Sequence, residues 1–394
     1  MKKSLFCLFL TLLFPFMFIS CSSSSSNEVD DYVSNDVSIS DNEQKEENKN
    51  NGIDKSKIKI GVIHIGDPKE GSGYTYTHDL GIQGMQQNLG LEDNQIIRKN
   101  NVSDSDKDAT DQAIKECIDS GCNIIFGTSF GYMETMSKMA EEYPEIYFSH
   151  GSGYVSNGKN FNNYFGRIYQ ARYLSGIAAG LKTSTNKIGY VAAQDTTNSE
   201  VTGGIDAFAM GVYSVNPEAE IYVKVTNSWY DPEKEKSAAE KLIEEKCDVL
   251  AQHCDTPYPQ TVAEGAGAYG IGYNSDMSKE APKATLVSVL WNWSSYYTAA
   301  VQSIIDGTWD GSNYYGGMAE NLVTLSPLSD FNDPSAESKI NEVKSKMIDG
   351  SFNVFDGVIE TNDGSLIGEE GKTLDDETIK GKINWYFKNV TIIE

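Results

Sequence analysis

The sequence predicts an α/β protein with two doubly wound parallel-sheet lobes joined by a hinge of several crossovers. Short apolar strands alternate with helices of about ten residues or more, which is typical of parallel βαβ units. The alternation restarts near residue 169, so two units of similar length follow each other. Aromatic and carboxylate residues follow most of the strands, and in open α/β sheets ligands bind at such strand ends.

Residues 1–20 have the layout of a secretory signal peptide. Lys2 and Lys3 precede the apolar stretch Ser4–Ile19, which is too short and too close to the terminus for a stable spanning helix. The stretch ends in Phe18–Cys21, and an apolar run that stops at a small residue before Cys resembles a bacterial lipobox. We therefore expect a lipid such as palmitate on Cys21, and a protein anchored to a membrane. An ordinary signal peptide of a secreted protein is the alternative.

Residues 21–57 are expected to be the lipidated cysteine followed by a disordered tether, rich in acidic residues and serine. Ser, Asn, Asp, Glu and Lys dominate Asn27–Lys57. So few apolar residues cannot offset the entropy lost when a chain is ordered. Such a tether would hold the folded part, which begins at Ile58, away from the membrane.

Composition excludes several classes of function. The formal net charge is −25, and loss of Lys2 and Lys3 with the signal makes it −27, which disfavours nucleic acid and anionic lipid as partners. The histidines are scattered and the cysteines form no CxxC motif, so we expect neither a metal nor another cofactor. Buried free thiols and two local disulfides both fit the four cysteines of the folded part, which are Cys117, Cys122, Cys247 and Cys254.

The first lobe is predicted from residue 58 to residue 168. The expected strands are Ile58–Ile65, Gln95–Asn100, Asn123–Gly127, Ile146–His150 and Asn163–Arg167, and the expected helices are Leu80–Leu89, Ala109–Asp119 and Met133–Tyr143.

The second lobe is predicted from residue 169 to residue 291. Its expected helices are Tyr169–Lys182, Gly203–Val212, Pro232–Glu245 and Pro259–Gly267, and its expected strands are Lys187–Ala192, Ile221–Asn227, Asp248–Gln252, Tyr269–Tyr273 and Thr285–Trp291. Asp231 is placed as the N-cap of a helix that has Pro232 at its first position. Tyr169–Lys182 is rich in small residues, which suits close packing.

The rest of the chain is expected to return to both lobes. It contains a predicted helix Ser295–Asp306, a strand Val323–Leu325, a helix Ser335–Asp349 and a tail Gly381–Glu394. We assign residues 292–320 to the first lobe and residues 321–394 to the second, which implies several crossovers at a hinge.

The candidate ligand contacts follow the predicted strands. They are Tyr74 and Tyr76 in Gly71–Gly84, Ser129 and Phe130 in Gly127–Tyr132, Trp229 and Asp231 in Asn227–Asp231, Asp255 after Gln252, Asn274 and Asp276 in Tyr273–Asp276, and Trp291. Flat rings beside a few carboxylates and amides suit a planar heterocycle that forms hydrogen bonds. Core packing of Trp229, capping by Asp231 and turn formation by Asp255 are the structural alternatives. Since Trp291 and Trp293 alternate along an expected strand, only one of them can face the cleft.

No catalytic motif emerges, and we predict that the protein is not an enzyme. Gly265–Gly270 satisfies G-x-G-x-x-G, but it ends a predicted helix and precedes a strand, whereas the dinucleotide motif needs a strand and then a helix. The sequence contains no G-x-S-x-G elbow and no Walker A motif.

Six segments together resemble the basic membrane protein family, the PnrA-like group of substrate-binding lipoproteins of ABC transporters. They are GYTYTHDLGIQGM (Gly73–Met85), Phe126–Pro144, Arg172–Ala193, Asn227–Glu235, Asp248–Pro257 and Gly272–Ser278. The resemblance implies a type I periplasmic-binding fold. It also implies a monomeric, extracytoplasmic protein, lipid-anchored to the cell membrane or the outer membrane, which delivers its ligand to a permease and its ATPase.

The resemblance further implies a purine base or nucleoside as the ligand. Tyr74 would stack on the base and Phe130 and Trp229 would line it. Asp255, Asn274 and Asp276 would supply polar contacts. The strand that carries a ribose-binding lysine in nucleoside binders has none in Ser288–Trp293, where Trp291 would take its place, and this departure points to the branch associated with free purine bases. A surface adhesin or antigen, and a sugar or autoinducer binder of the same fold, are the alternatives.

Overall fold

The computed structural model describes residues 52–394. The predicted signal peptide, the lipidation of Cys21 and most of the predicted tether therefore lie outside the described residues. Residues 53–57, which the sequence analysis places in the tether, are bonded to the fold. The backbone N–H of Ile53 donates to the carbonyl of Ile304 over 3.2 Å, and the Gln95 side chain donates to the carbonyl of Lys55 over 2.8 Å.

The first part of the fold alternates strands with helices, as predicted. It contains strands β1 (Ile60–Ile63), β2 (Ile96–Lys99), β3 (Ile124–Gly127), β4 (Tyr147–Gly151) and β5 (Phe161–Gly166), and helices α1 (Gly73–Leu89), α2 (Lys107–Asp119) and α3 (Met133–Glu142). Helix α1 begins seven residues before the predicted Leu80, because Ser72 takes an extended N-cap conformation and the helix continues from there without a break. Tyr74 and Tyr76 thus lie on a helix and not on a loop.

The second part repeats the alternation. It contains helices α4 (Ile168–Lys182), α5 (Ser199–Tyr213), α6 (Pro232–Glu244) and α7 (Tyr258–Ala266), and strands β6 (Lys187–Ala192), β7 (Glu220–Val225), β8 (Val249–His253), β9 (Tyr269–Asn274) and β10 (Thr285–Trp291). The Asp231 side chain accepts from the Lys234 backbone N–H over 3.1 Å, which confirms the predicted N-cap of α6.

The third part returns to both earlier parts. It contains helix α8 (Trp293–Ile305), strands β11 (Tyr314–Gly316) and β12 (Val323–Leu325), helix α9 (Ala336–Ile348), strands β13 (Asp356–Glu360) and β14 (Leu366–Thr373), helix α10 (Asp376–Gly381) and strand β15 (Val390–Ile392). Strands β11 and β15, the hairpin β13–β14 and helix α10 were not among the predicted elements.

Within residues 52–394 the strands form two large sheets. The first has the order β11-β5-β4-β3-β1-β2 and is entirely parallel, with Ile60 opposite Ile96 on one side and Ile124 on the other. The second has the order β12-β10-β9-β8-β6-β7-β15 and is parallel except for the β10–β12 pair. Helices pack on these sheets, giving the predicted α/β fold of two parallel-sheet lobes. The residue bounds predicted for the lobes stay a prediction.

Helices α4 and α5 pack closely in the second lobe, as the small residues of α4 indicate. A Cβ atom on Gly211 of α5 would lie only 2.0 Å from the carbonyl oxygen of Tyr173, so no larger residue fits there.

The four cysteines of the described fold are buried free thiols, and the alternative of two local disulfides is therefore excluded.

Three segments of the described fold cross between the sheets and are joined by backbone hydrogen bonds. They contain Arg167, Asn292 and residues 316–322. Arg167, between β5 and α4, donates its backbone N–H to Gly316 over 2.7 Å. Asn292, between β10 and α8, donates its backbone N–H to Leu322 over 2.7 Å, and Leu322 donates to Gly317 over 3.0 Å. These bonds join the crossovers into one narrow connection, which is the geometry of a hinge.

Candidate ligand-binding site

A cavity of about 970 Å³ lies between the strand ends of the two sheets. This volume is near the upper end of the range of small-molecule sites, roughly 300–1,000 Å³. The first lobe lines it chiefly with Tyr74, Asp104, Ser129, Phe130, Tyr154 and Phe165, the second with Asn198, Glu200, Trp229, Asp255 and Tyr273, and later segments with Tyr314, Tyr315, Glu377, Ile379 and Lys380.

Tyr74 reaches the cavity from the first turn of α1. Gly73 has a φ of 80°, and a Cβ atom there would lie 2.6 Å from the carbonyl oxygen of Asp255. Only glycine therefore lets α1 begin so close to the loop of the opposite lobe. Burial raises the pKa of the Tyr74 hydroxyl well above its usual range, so the phenol is neutral at physiological pH.

A column of stacked rings supports Tyr74 from behind. The Tyr74 ring meets His78 edge-on at 4.4 Å, His78 stacks on Trp293 at 4.4 Å, and Trp293 stacks on Trp291 at 4.4 Å. Trp291 donates its indole N–H to the Tyr273 hydroxyl over 3.3 Å. Such packing holds the two tyrosine rings of the cavity wall in place.

Trp291 itself is buried and lies outside the cavity lining, as does Trp293. The prediction that the two tryptophans alternate along a strand is wrong, because β10 ends at Trp291 and Trp293 is the first residue of α8. The turn between strand and helix lets both rings stack on the same side. Tyr76 also lies outside the lining, since residues two apart on a helix point in nearly opposite directions.

Asp255 is a carboxyl group of the cavity wall that is held by hydrogen bonds of its backbone and of its side chain. Its backbone N–H donates to the carbonyl of Trp229 over 2.9 Å, and the Asn274 side chain donates to its Oδ1 over 2.8 Å. Burial raises the pKa of Asp255 to about 8, while the bond from Asn274 opposes the rise. Asn274 is fully buried and lies behind Asp255 without lining the cavity, so it orients the carboxyl group.

Glu200 is a lining residue that sequence reasoning missed. It lies in the first turn of α5, whose N-cap Asn198 accepts from the Glu200 backbone N–H over 3.1 Å. Burial raises the pKa of Glu200 to about 7, and the positive charge of Arg172 opposes the rise. Acidic residues are common in the first turn of helices, where they interact favourably with the helix dipole. The sequence alone therefore does not distinguish Glu200 from such residues.

The rings of the second lobe form a connected wall beside Glu200. His253 is buried, with its Nε2 3.4 Å from Glu200 Oε1, and its ring contacts Trp229 at 5.8 Å and Tyr273 at 4.8 Å. The Arg172 guanidinium lies over the other side of the wall, 4.0 Å from the centre of the Tyr273 ring.

Phe130 and Tyr154 form the opposite, more open side of the cavity. Their side chains are 54% and 72% exposed and their ring centres are 6.3 Å apart. Ser129 beside them donates its hydroxyl to Asp104 over 2.6 Å. Exposed rings at a cavity entrance leave apolar area for a ligand or a closing lobe to cover.

Asp231 and Asp276 lie outside the cavity lining. Asp231 is engaged as the α6 N-cap. Asp276 is exposed and accepts from the Ser278 backbone N–H over 3.0 Å, which is turn chemistry. The structure therefore brings five of the predicted contacts to one cavity, Tyr74, Ser129, Phe130, Trp229 and Asp255, and does not bring Tyr76, Asp231, Asn274, Asp276 and Trp291 to it.

A model of the PnrA-like substrate-binding proteins of ABC transporters matches residues 57–354. The chain belongs to this family. It is 34% identical to a purine-binding protein of Brucella abortus over 85% of this chain and 93% of that protein. It is 32% identical to a candidate ABC transporter glucose-binding protein of Haloferax volcanii over 75% of this chain and 73% of that protein.

Solved structures share the fold of this PnrA-like protein. A solute-binding protein of an ABC transporter from Aeropyrum pernix superimposes with a TM-score of 0.64 over 75% of this chain and 92% of that chain, at 17% identity. The predicted family and fold are both confirmed. The family is one of solute-binding proteins that act outside the cytoplasm and not one of enzymes.

The chemistry of the PnrA-like cavity is that of binding. Rings from both lobes face it, and its ionisable side chains are mostly acidic, with Asp104, Glu200, Asp255 and Glu377 against Lys380. Among residues 52–394, no group of three or more His, Cys, Asp or Glu side chains is placed to hold a metal ion.

Within residues 52–394, no helix has both the length and the apolar character needed to cross a membrane.

Proposed function

We propose that this PnrA-like protein is the lipid-anchored substrate-binding component of an ABC importer and that it captures a purine base or nucleoside in the cavity between its lobes. The observation that carries the proposal is the meeting of Tyr74 from one lobe with Trp229 and Asp255 from the other at a single cavity. The purine-binding relative at 34% identity supports the same ligand class.

Rings and carboxyl groups act on different parts of a purine. A ring stacked on the base contributes about 1–3 kcal/mol and tolerates any purine. A carboxyl group accepts hydrogen bonds from amino and ring N–H groups and so fixes the orientation of the base. Tyr74 and Trp229 fill the first role and Asp255, held by Asn274, fills the second.

Closure of the lobes completes the proposed binding event. Phe130 and Tyr154 are exposed at the entrance, and the crossovers beside Arg167 and Asn292 form a narrow connection about which the lobes rotate. Closure would cover the two rings and separate the purine from water. The closed form is then the one presented to the permease and its ATPase.

A free base is favoured over a nucleoside. The family resemblance leads us to expect a lysine as ribose clamp on the strand that became β10, and Ser288–Trp291 contains none. Lys380 does line the cavity, but its ammonium group is 2.9 Å from the carboxylate of Glu377 and is already paired.

Glucose is the second candidate ligand, because the relative from Haloferax volcanii is named for it. Stacked rings with carboxylate and amide partners also suit a sugar. An adhesin without a ligand is the remaining alternative. Copurification of a permease and its ATPase with the protein would exclude the adhesin alternative.

Isothermal titration of the folded part, residues 52–394, with adenine, adenosine, guanosine, inosine and glucose tests the proposal. We expect binding of at least one purine, with the free base tighter than its nucleoside, and no heat with glucose. Purine binding would be refuted if only glucose gave binding heat, or if none of the compounds did. Mass spectrometry of the membrane-extracted full chain and of its Cys21→Ser variant tests the anchor, since only the wild type should carry acyl mass.

A further inference from the structure

Glu200 lines the cavity on the same lobe as the predicted contacts Trp229 and Asp255, and neither the sequence pattern nor the family resemblance assigned it a role. Its side chain is 24% exposed and projects from the first turn of α5 toward the space that Tyr74 and Asp255 also line. The only hydrogen-bond partner of its carboxyl group among the described side chains is His253, at 3.4 Å from Oε1. One carboxyl oxygen of Glu200 is thus free for a ligand.

We propose that Glu200 and Asp255 together recognise the N–H donors of an amino-bearing purine, so that Glu200 determines which purine is bound. This inference rests on the proposed function and goes beyond it by naming the residue and the substrate class. Asn274 donates to Oδ1 of Asp255, which leaves the second oxygen of that carboxyl group for the ligand as well.

The balance of donors and acceptors in the cavity supports this pairing. Carboxyl groups outnumber cations, and Lys380 is already bonded to Glu377. A ligand that presents N–H donors satisfies these oxygen atoms when the carboxyl groups are ionised, whereas a carbonyl oxygen at the same place would face ionised carboxylates without a donor. Leaving a buried polar group unpaired costs about 1–3 kcal/mol, and more when it is charged. An amino-purine such as adenine therefore fits better than its oxo counterpart hypoxanthine.

Arg172 provides the charge that a deprotonated Glu200 needs. It is fully buried, forms no ion pair with any carboxylate of the described residues, and two of its nitrogen atoms, Nε and Nη2, lack hydrogen-bond partners there. Its Nη1 donates to the carbonyl of Gln252, but a buried cation without a carboxylate partner is costly, and a nearby carboxylate stabilises it through the low-dielectric interior. Ionisation of Glu200 on ligand binding would supply that carboxylate.

Ligand binding should therefore release protons. Burial holds the pKa of Glu200 at about 7 and that of Asp255 at about 8, so both carboxyl groups are partly protonated at neutral pH. Hydrogen bonds donated by a ligand favour their charged forms. The titratable and charged groups that face the pair from the surrounding elements are Arg172 on α4, Tyr190 on β6, Glu235 on α6, His253 on β8, Tyr273 on β9, Tyr74 on α1 and Tyr315 on β11.

The test compares Glu200→Gln with Glu134→Gln, which removes an exposed carboxylate that is paired with Lys107 outside the cavity lining. Titration of adenine and hypoxanthine at pH 7, in buffers of different ionisation enthalpy, gives both affinities and the protons released. For wild type and E134Q we expect adenine to bind at least tenfold tighter than hypoxanthine, with proton release. For E200Q we expect the preference to fall to about threefold or less and proton release to decrease.

An unchanged preference and unchanged proton release in E200Q, with intact binding by wild type, would overturn the role of Glu200 and leave the proposed function standing. Failure of the wild type to bind any purine would overturn both. Thermal unfolding of E200Q separates binding from folding. If the variant does not fold, Glu200→Asp replaces it, and the retracted carboxylate should lower the adenine preference while keeping the proton release.

Discussion

Asn274 Nδ2 donates a 2.8 Å hydrogen bond to Oδ1 of Asp255, and this bond joins the end of β9 to the loop after β8. Asn274 has a φ of 67°, a conformation that asparagine adopts more readily than most residues. The backbone therefore aims a buried amide at the carboxyl group from a position that few side chains tolerate. Asp255 is partly ionised at neutral pH because this donor opposes the effect of burial.

Replacing Asn274 with Gly should weaken purine binding at pH 7 about fivefold or more. Glycine tolerates the positive φ, so the change removes the donor without backbone strain. Without the donor the pKa of Asp255 rises, and binding that needs the carboxylate should recover as the pH is raised above 8. Titration from pH 6 to pH 9 measures this shift. Asn101→Gly, at an exposed position with a φ of 57°, is the matched control and should bind as wild type. A pH profile shared by both variants would refute the role of Asn274.

Replacing Tyr74 with Ala should weaken purine binding at least tenfold, because one stacked ring contributes about 1–3 kcal/mol. Tyr76→Ala is the matched control, since it removes the same side chain from the same helix outside the cavity lining. Tyr74→Phe keeps the ring and should stay within about threefold of wild type. Equal affinities of Y74A and Y76A, measured by titration, would return Tyr74 to a packing role.

The fold was predictable because its signal is repeated. Most strands between Ile58 and Trp291 are short runs followed by a helix, except β4 and β9, which another strand follows, and this local pattern does not depend on distant contacts. The missed elements lack it. Strand β11 has only three residues, too few to show an alternation of apolar residues, and it is defined by its pairing with β5. The hairpin β13–β14 is mostly exposed and lacks the alternation as well.

The candidate site was only partly predictable, for a different reason. Position after a strand places a residue at the correct edge of the sheet, and this identified Tyr74 and Asp255. It does not tell which way the side chain points: Asn274 and Trp291 are buried behind the cavity wall, and the half-buried Tyr76 lies outside the lining. Glu200 was missed because its side chain is distinguished by burial beside Arg172 and His253, which are distant in sequence.

Replacing Asp206 with Asn should flatten the pH dependence of stability. Asp206 is fully buried in α5, where its Oδ1 accepts from the Phe387 backbone N–H over 2.7 Å and its Oδ2 has no hydrogen-bond partner. Burial raises its pKa well above the usual range, so the folded state holds a proton that the unfolded chain releases near pH 4. The stabilisation that comes from protonated Asp206 is complete below about pH 4 and is lost as the pH rises toward the pKa of Asp206 in the folded protein. Asparagine keeps the acceptor and carries no charge.

Chemical denaturation of wild type and Asp206→Asn from pH 5 to pH 9 measures this effect. We expect the variant to gain about 1–3 kcal/mol relative to wild type toward alkaline pH, the range for a buried polar group left unsatisfied. Asp276→Asn, at an exposed site, is the control and should follow the wild-type slope. Parallel slopes for wild type and D206N would show that Asp206 does not hold this proton.

The ion pair between Arg167 and Asp376 should control how firmly α10 closes one wall of the cavity. Arg167 Nη2 lies 2.6 Å from Asp376 Oδ2, and the same guanidinium donates to the carbonyl of Tyr315 over 2.5 Å, so the pair fastens α10 to the hinge. Ile379 and Lys380 of α10 line the cavity. Since the two side chains are partly exposed, the pair contributes less than about 1 kcal/mol to global stability. Its main effect should therefore be local.

Asp376→Asn should increase amide hydrogen exchange in residues 376–381 and weaken purine binding about two- to fivefold, while the melting temperature changes by no more than about 2 °C. Glu369→Gln removes one partner of the exposed Glu369–Lys372 pair on β14 and is the matched control, with no expected change in exchange of α10 or in affinity. High salt should shift wild type toward the behaviour of D376N, because screening weakens a partly exposed pair. Unchanged exchange in residues 376–381 of D376N would show that other contacts hold α10 against the cavity.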